Sequence, residues 1–320
     1  MNSERPLNVS VIDPITPAID RVKLMLFKPF DFEKWFTIGF CAWLALLGSG
    51  GGMPSFNSNF GRQRRYPHFH EFVNDAKEFT LNNLAWIVPV AVFVVLISVA
   101  IGLVIAWLSS RGRFMFLHCV AGNKSEVKIP WAKYKDLSYS LFLFRVVIGL
   151  SGFVVVAVPA IYIVVMFFIM ASAGVPKVGA IVGMIFLGFC IVVISICLGL
   201  ISKFTTDFVV PVMFLRTIKI REAWREFLKI LSVNKARFLL YILFQIVINL
   251  TIGMIILVLC CVTCCCACCF FALPYIGTVV LLPVHIFKMA YSLFYLKQFG
   301  PQLDVFNIEN LQPALPENPY

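Results

Sequence analysis

Charge is scarce in this chain. Of its 320 residues only 13% are Asp, Glu, Lys or Arg, while 60% are hydrophobic. Six apolar runs, at 35–48, 84–108, 146–174, 178–202, 238–261 and 275–296, hold almost no charge. A soluble domain of this length cannot keep so much apolar surface from water, so that class is excluded. Gly-rich phosphate loops are missing as well, and the runs are longer than buried strands. Both absences exclude a nucleotide-binding α/β fold. No hydrophobic region of the signal-peptide kind lies near Met1, and the first membrane segments are expected to act as uncleaved insertion signals. No catalytic motif is present, so neither an enzyme nor a cofactor is expected.

The apolar runs define the fold class. A bilayer's hydrocarbon core is about 30 Å thick and takes roughly 20 apolar residues in a helix. Five of the six runs reach that length, and run 35–48 is short. The expected fold is all-α: a polytopic membrane helix bundle with six transmembrane helices. Of the 27 Lys and Arg, 22 fall in one set of alternate gaps and 5 in the other. Short basic loops stay in the cytoplasm, which predicts a plasma (inner) membrane protein with both termini inside. The net charge of +11 is mostly this bias, not a nucleic-acid patch. The expected partners are the lipid bilayer and its anionic headgroups at the cytoplasmic face. Each basic residue near that surface is worth about 1 kcal/mol.

A short phrase recurs three times. Met115-Phe116-Leu117-His118 follows the second run, Met213-Phe214-Leu215-Arg216 the fourth, and Phe294-Tyr295-Leu296-Lys297 ends the sixth. Apolar, aromatic, Leu, basic at a helix exit reads as an interface anchor, with Phe116, Phe214 and Tyr295 at headgroup level. Amphipathic stretches precede the odd-numbered runs. In 219–231, Ile220, Ala223, Trp224, Phe227, Leu228 and Leu231 share one helical face. Trp224 is a further interface anchor. In 16–28, Thr16 is the expected N-cap, Pro17 the first helical residue, and Ile19, Val22, Met25 and Leu26 the apolar face. The stretch 130–141 is a weaker third copy. Each such helix either lies in the membrane plane or packs on a loop. The repeats run over about 16–118, 128–216 and 218–297, each an interfacial helix plus a helical hairpin.

This order of amphipathic segments and paired spans resembles a family of uncharacterised bacterial multi-pass membrane proteins. It is also similar to the membrane domain attached to some glycerophosphodiester phosphodiesterases. The phrases that carry the resemblance are Phe30-Asp31-Phe32-Glu33-Lys34-Trp35, Asp207-Phe208-Val209-Val210-Pro211 and Leu282-Pro283-Val284-His285. The resemblance implies a six-span bacterial membrane protein. It transfers no phosphodiesterase activity, because no such catalytic domain is present.

Few residues carry distinctive chemistry. Segment 49–83 is the long external loop; its His68, His70 and Glu71 read as solvated residues or as a metal site lacking a second ligand pair. Pro176 is expected at the tip of a tight hairpin, and 303–320 forms a cytoplasmic tail. Seven of the eleven cysteines lie between Cys260 and Cys269. They read as small packing residues, as disulfide partners, or as a metal site on Cys261, Cys264, Cys265 and Cys268. One helix cannot wrap those four thiols around one zinc. Asp207, Gln245, Asn249, His285 and Lys288 lie inside runs, where polar groups are costly. Aligning the three exit phrases brings Asp207 and Lys288 into register, which predicts an ion pair; separate snorkelling to the interface is the alternative. Gln245 and Asn249, four residues apart, are expected to bond a neighbouring helix or to line a polar pathway. Three functions follow: a membrane-organising bundle that interacts with lipid or protein, a transporter for a small or lipid-like solute, and, last, a cysteine-based intramembrane enzyme.

Overall fold

The computed structural model describes residues 9–47, 83–173, 178–263 and 273–307, and among them every regular element is helical. In chain order they are α1 (Ile15–Leu26), α2 (Phe32–Leu46), α3 (Leu84–Gly122), α4 (Lys128–Lys133), α5 (Lys135–Ala173), α6 (Val178–Phe204), a π-helical turn (Thr205–Val209), α7 (Val210–Arg216), α8 (Ile220–Val233), α9 (Lys235–Val262), α10 (Pro274–Val280), α11 (Leu282–Lys297) and a 3-10 turn (Pro301–Leu303).

Four helices are long and apolar enough to cross a membrane: Ala85–Gly122, Lys135–Met166, Val178–Arg216 and Lys235–Val262. They correspond to runs two to five. The first of them has 38 residues, or about 57 Å at 1.5 Å per residue, far beyond a hydrocarbon core. Its last part, from Ser109 on, therefore has length to spare for polar packing. The other two runs behave differently. Run 35–48 yields α2, whose 15 residues reach only about 22 Å. Run 275–296 is broken at Leu281 into α10 and α11, with Pro283 in the first turn of the second piece.

The described residues fall into two compact units. The first takes those of 1–54, 106–144 and 203–320; the second takes those of 55–105 and 145–202. Helices α3, α5 and α6 each contribute residues to both.

The first unit has a close-packed interior. Helix α1 lies on α11. Tyr291 donates its hydroxyl to Val11 O (2.8 Å), and Ser10 and Gln298 exchange two hydrogen bonds (2.7 and 2.9 Å). The start of α1 differs from the expectation. Pro14 already has helical dihedrals and no side chain caps the helix, so Thr16 is not the N-cap. Ahead of it, Ser10 Oγ accepts from Ile12 and Asp13 N–H. Ala18, Met25 and Leu26 form the buried stripe, whereas Ile19 is exposed.

Asp31 caps α2 by accepting from Glu33 N–H at 2.9 Å. Helix α2 then packs on α10: Trp35 Nε1 donates to Val279 O and Tyr275 Oη to Phe36 O, both at 3.0 Å. It also touches α11 and packs closely on α3. A Cβ on Gly112 would stand 2.5 Å from Ala45 N, and Ser109 Oγ donates to Ala45 O at 3.0 Å. Only a glycine admits that approach. The expected helix over 130–141 is instead the six-residue α4 followed by the start of α5. Helix α8 forms where expected and buries Ile220, Ala223 and Phe227, while Leu228 of the expected apolar face is exposed.

The second unit is apolar and outward-facing. The most apolar 18-residue stretches of α3 and of the Val178–Arg216 helix contain no buried residue. Helices α5 and α6 approach at Gly152, where a Cβ would lie 2.9 Å from Leu198 Cδ1. Its described residues include no Asp, Glu, Lys, Arg or His in 84–105 or 146–202.

Candidate functional site

The densest polar group inside the first unit forms around the π-helical turn. Val210 N–H bonds Thr205 O, five residues back, in place of the usual four. Pro211 follows and supplies no N–H, so the ladder must adjust there. Such one-turn π segments within α-helices often mark functional sites. This one rotates the side chains of Thr206, Asp207 and Phe208 relative to an unbroken helix.

Asp207 is the hub. Its Oδ2 accepts from Lys203 Nζ at 2.7 Å and from Tyr241 Oη at 3.0 Å. Gln245 Nε2 donates to the same Tyr241 oxygen at 3.0 Å. Arg113 Nη1 donates to Thr206 Oγ1, and its guanidinium is within electrostatic reach of Asp207. Arg113 Nε is buried with no hydrogen-bond partner among the described residues. Lys288 is within electrostatic reach of both Lys203 and Asp207. One carboxylate thus faces three cations.

Aromatic rings surround this hub. Phe208 stacks on Phe227 (5.4 Å, 11°) and meets Phe238 edge-on at 5.2 Å. Tyr241 lies 4.9 Å from Phe208 and 4.7 Å from Tyr295, and stacks with Tyr291 at 5.9 Å. Phe208, Phe227, Phe238, Tyr241, Tyr291 and Tyr295 are all fully buried. The low-polarity wall strengthens the Asp207 contacts and makes any loose polar group expensive.

Several expected residues take other roles. The partner of Asp207 is Lys203, in place of the expected Lys288. Lys203 sits one helical turn back, at the i,i+4 spacing that brings two side chains to one face. Gln245 is buried and bonded, but Asn249 is exposed and does not join it. His285 is half-buried near Lys288. Phe116, Phe214 and Tyr295 are not headgroup anchors: they are 6%, 4% and 0% exposed, and protein side chains cover them. Trp224 is partly buried against Phe144 and Phe227, with Nε1 buried and unbonded among the described residues. The exit phrases read as anchors because an aromatic beside a cation marks either a lipid interface or the edge of a packed core.

Cys261 is exposed near the end of α9; Cys264, Cys265 and Cys268 lie outside the described residues, as do His68, His70, Glu71 and Pro176. Among the described residues no three His, Cys, Asp or Glu side chains converge as for a metal.

Sequence reasoning did not single out Lys203, Tyr241 or Arg113. The first two had a signal: Lys203–Asp207 and Tyr241–Gln245 are both i,i+4 pairs. Arg113 gave none beyond its place among apolar neighbours.

Residues 9–273 match a family of unknown function (DUF7544). No curated protein matches the chain, and no solved structure does.

Proposed function

We propose that this chain, which belongs to the DUF7544 family of unknown function, is a non-enzymatic integral membrane protein that organises lipid or partner proteins at one face of the bilayer. In this reading it is a multi-pass protein of a bacterial cell membrane. Six segments enter the bilayer in three repeats, and both termini lie in the cytoplasm. The observation that carries the reading is the separation of chemistry. The polar and charged groups gather in the first unit, around Asp207 and along basic surfaces. The second unit offers apolar helix faces, and among its described helical residues Arg145, at the unit's edge, is the single Asp, Glu, Lys, Arg or His. A pathway for a polar solute needs such groups at the midplane. The Asp207 hub is closed by aromatic rings and bonded within itself, which suits a structural clamp.

The test is lipid retention. The purified protein is exchanged through mild detergent, and bound lipid is read by native mass spectrometry. Anionic lipids are expected to stay at a defined stoichiometry. Complete delipidation without loss of fold would overturn the reading.

Transport is the second reading, favoured by the π turn and by the break between α10 and α11. Discontinuous helices form the substrate and ion sites of many transporters. Solute-dependent currents in proteoliposomes, abolished by Asp207→Asn in a folded protein, would decide for it.

A further inference from the structure

Within the first unit, α1, the last turn of α3, α4 and the segment after the 3-10 turn line an open cavity of about 380 Å³. Its walls carry Arg21, Lys124 and Lys133 together with His118, Tyr134 and Phe306, and no carboxylate. Small-molecule sites span roughly 300–1,000 Å³, so this one suits a small group.

Arg21 is fixed in place. Its Nε and Nη2 donate to Val120 O at 3.0 and 2.7 Å, and Nη2 also donates to Ala121 O at 2.6 Å. The guanidinium lies 5.1 Å over the Phe306 ring, which stacks on Phe294 at 4.3 Å. These bonds neutralise the carbonyl end of α3, whose partial negative charge would otherwise repel an anion. Nη1 makes no hydrogen bond among the described residues, so its two N–H groups remain for a ligand. Burial lowers the Arg21 pKa, but a guanidinium keeps its charge at any physiological pH.

The other two cations are ammonium groups on long side chains, that of Lys133 lying 5.6 Å over the Tyr134 ring. Lys124 and Lys133 are exposed, and neither forms an ion pair among the described residues. The nearby acid, Glu126, stands 3.8 Å from His118 Nε2. Burial pushes the Tyr134 hydroxyl up to about 12, so that wall stays neutral. Three cations therefore converge on a cavity whose own walls hold no counter-charge.

A terminal phosphate supplies it. A phosphomonoester carries about −1.5 to −2 charge at pH 7 and three acceptor oxygens. A rigid guanidinium flanked by flexible ammonium groups is the donor set that such an anion takes. We propose that this cavity binds a phosphomonoester, carried either by a lipid such as phosphatidic acid or by a small soluble phosphate ester. The proposal rests on the lipid-organising reading and names the headgroup class and the residues that select it.

The experiment uses the full chain in phosphatidylcholine nanodiscs. Equal fractions of phosphatidic acid (a monoester) or phosphatidylglycerol (a diester) are added; a third arm adds free glycerol 3-phosphate. Retained lipid is read by native mass spectrometry and backbone protection over 118–134 by hydrogen exchange. Phosphatidic acid is expected to be retained about fivefold better than phosphatidylglycerol, for its additional negative charge. The double variant Lys124→Gln/Lys133→Gln is expected to weaken it about 30-fold, at about fivefold per basic residue. Both positions are exposed, so the fold is retained; Arg225→Gln/Lys229→Gln on α8 is the control and leaves binding unchanged. Protection by glycerol 3-phosphate alone, lost in the same double variant, supports the phosphate site and assigns it to a soluble ester. Equal retention of both lipids, insensitive to Lys124 and Lys133, overturns the cavity and leaves the lipid-organising reading standing. Loss of all anionic lipid from every arm overturns both.

Discussion

Asp207 accepts two donors on one oxygen, and each can be removed separately. Lys203→Met takes away the ammonium at 2.7 Å. The Lys203 side chain is 38% exposed, so solvent screens the pair and the expected loss is about 1 kcal/mol. Asp207→Asn leaves Lys203, Arg113 and Lys288 without their counter-charge, and a loss of about 1–3 kcal/mol is expected. Unfolding in mixed micelles measures both, and the double variant should lose less than the sum. If Lys288→Met costs more than Lys203→Met, the partner assignment is wrong. Tyr241→Phe removes the hydroxyl between Gln245 and Asp207 and is expected to cost about 1–3 kcal/mol, because the buried Gln245 amide then lacks its acceptor. At this scale the sequence marked Asp207 and Gln245 by their polarity inside apolar runs. It did not mark their partners, because Tyr241 reads as an ordinary membrane-helix aromatic and Lys203 as the end of a run.

Helix contacts in the first unit turn on small residues as much as on polar ones. Gly112→Ala drives a methyl to 2.5 Å from the backbone of α2 and is expected to cost about 1–3 kcal/mol through overpacking. Gly102→Ala, in the same helix, meets nothing within 4 Å and should gain up to about 1 kcal/mol from helix propensity. Comparing the two by thermal unfolding separates packing from propensity; equal effects would refute the close approach. The four long helices were legible from length and hydropathy alone, and α8 from its two-faced pattern. Three features were not. The π turn leaves no periodic signature, since it shifts the ladder over one turn only. The start of α1 is set by Pro14, which takes helical dihedrals two residues before the expected cap. The exit phrases are buried because the chain continues past them into packed segments, which hydropathy does not register.

The molecule divides its residues by solvent. The second unit keeps its large apolar side chains outward, and only lipid or another apolar partner can cover so many exposed Val, Ile and Phe faces. The chain is accordingly expected to stay with membranes through alkaline carbonate extraction. Release into the supernatant would contradict the membrane assignment. Orientation is checked by single cysteines placed, with the native cysteines replaced, at the exposed positions Glu222 and Lys133, which should react with an impermeant maleimide from the same side. Labelling from opposite sides would remove the alternate-gap logic of the basic residues.

Helix α2 is too short to cross a bilayer unaided, and besides Ser109 on α3 its hydrogen-bond partners are Val279 and Tyr275 on α10. Those partners leave the ribosome some 240 residues later, since the Trp35–Val279 bond spans 244 positions. At about 5–20 residues per second, roughly 12–50 s of synthesis separates the two. During that interval α2 has its contact with α3, through Ala45, Ser109 and Gly112, but the face it gives to α10 is uncovered. The packing of α2 is therefore finished only by the final helices, and a nascent chain arrested before residue 273 carries it docked on one side alone.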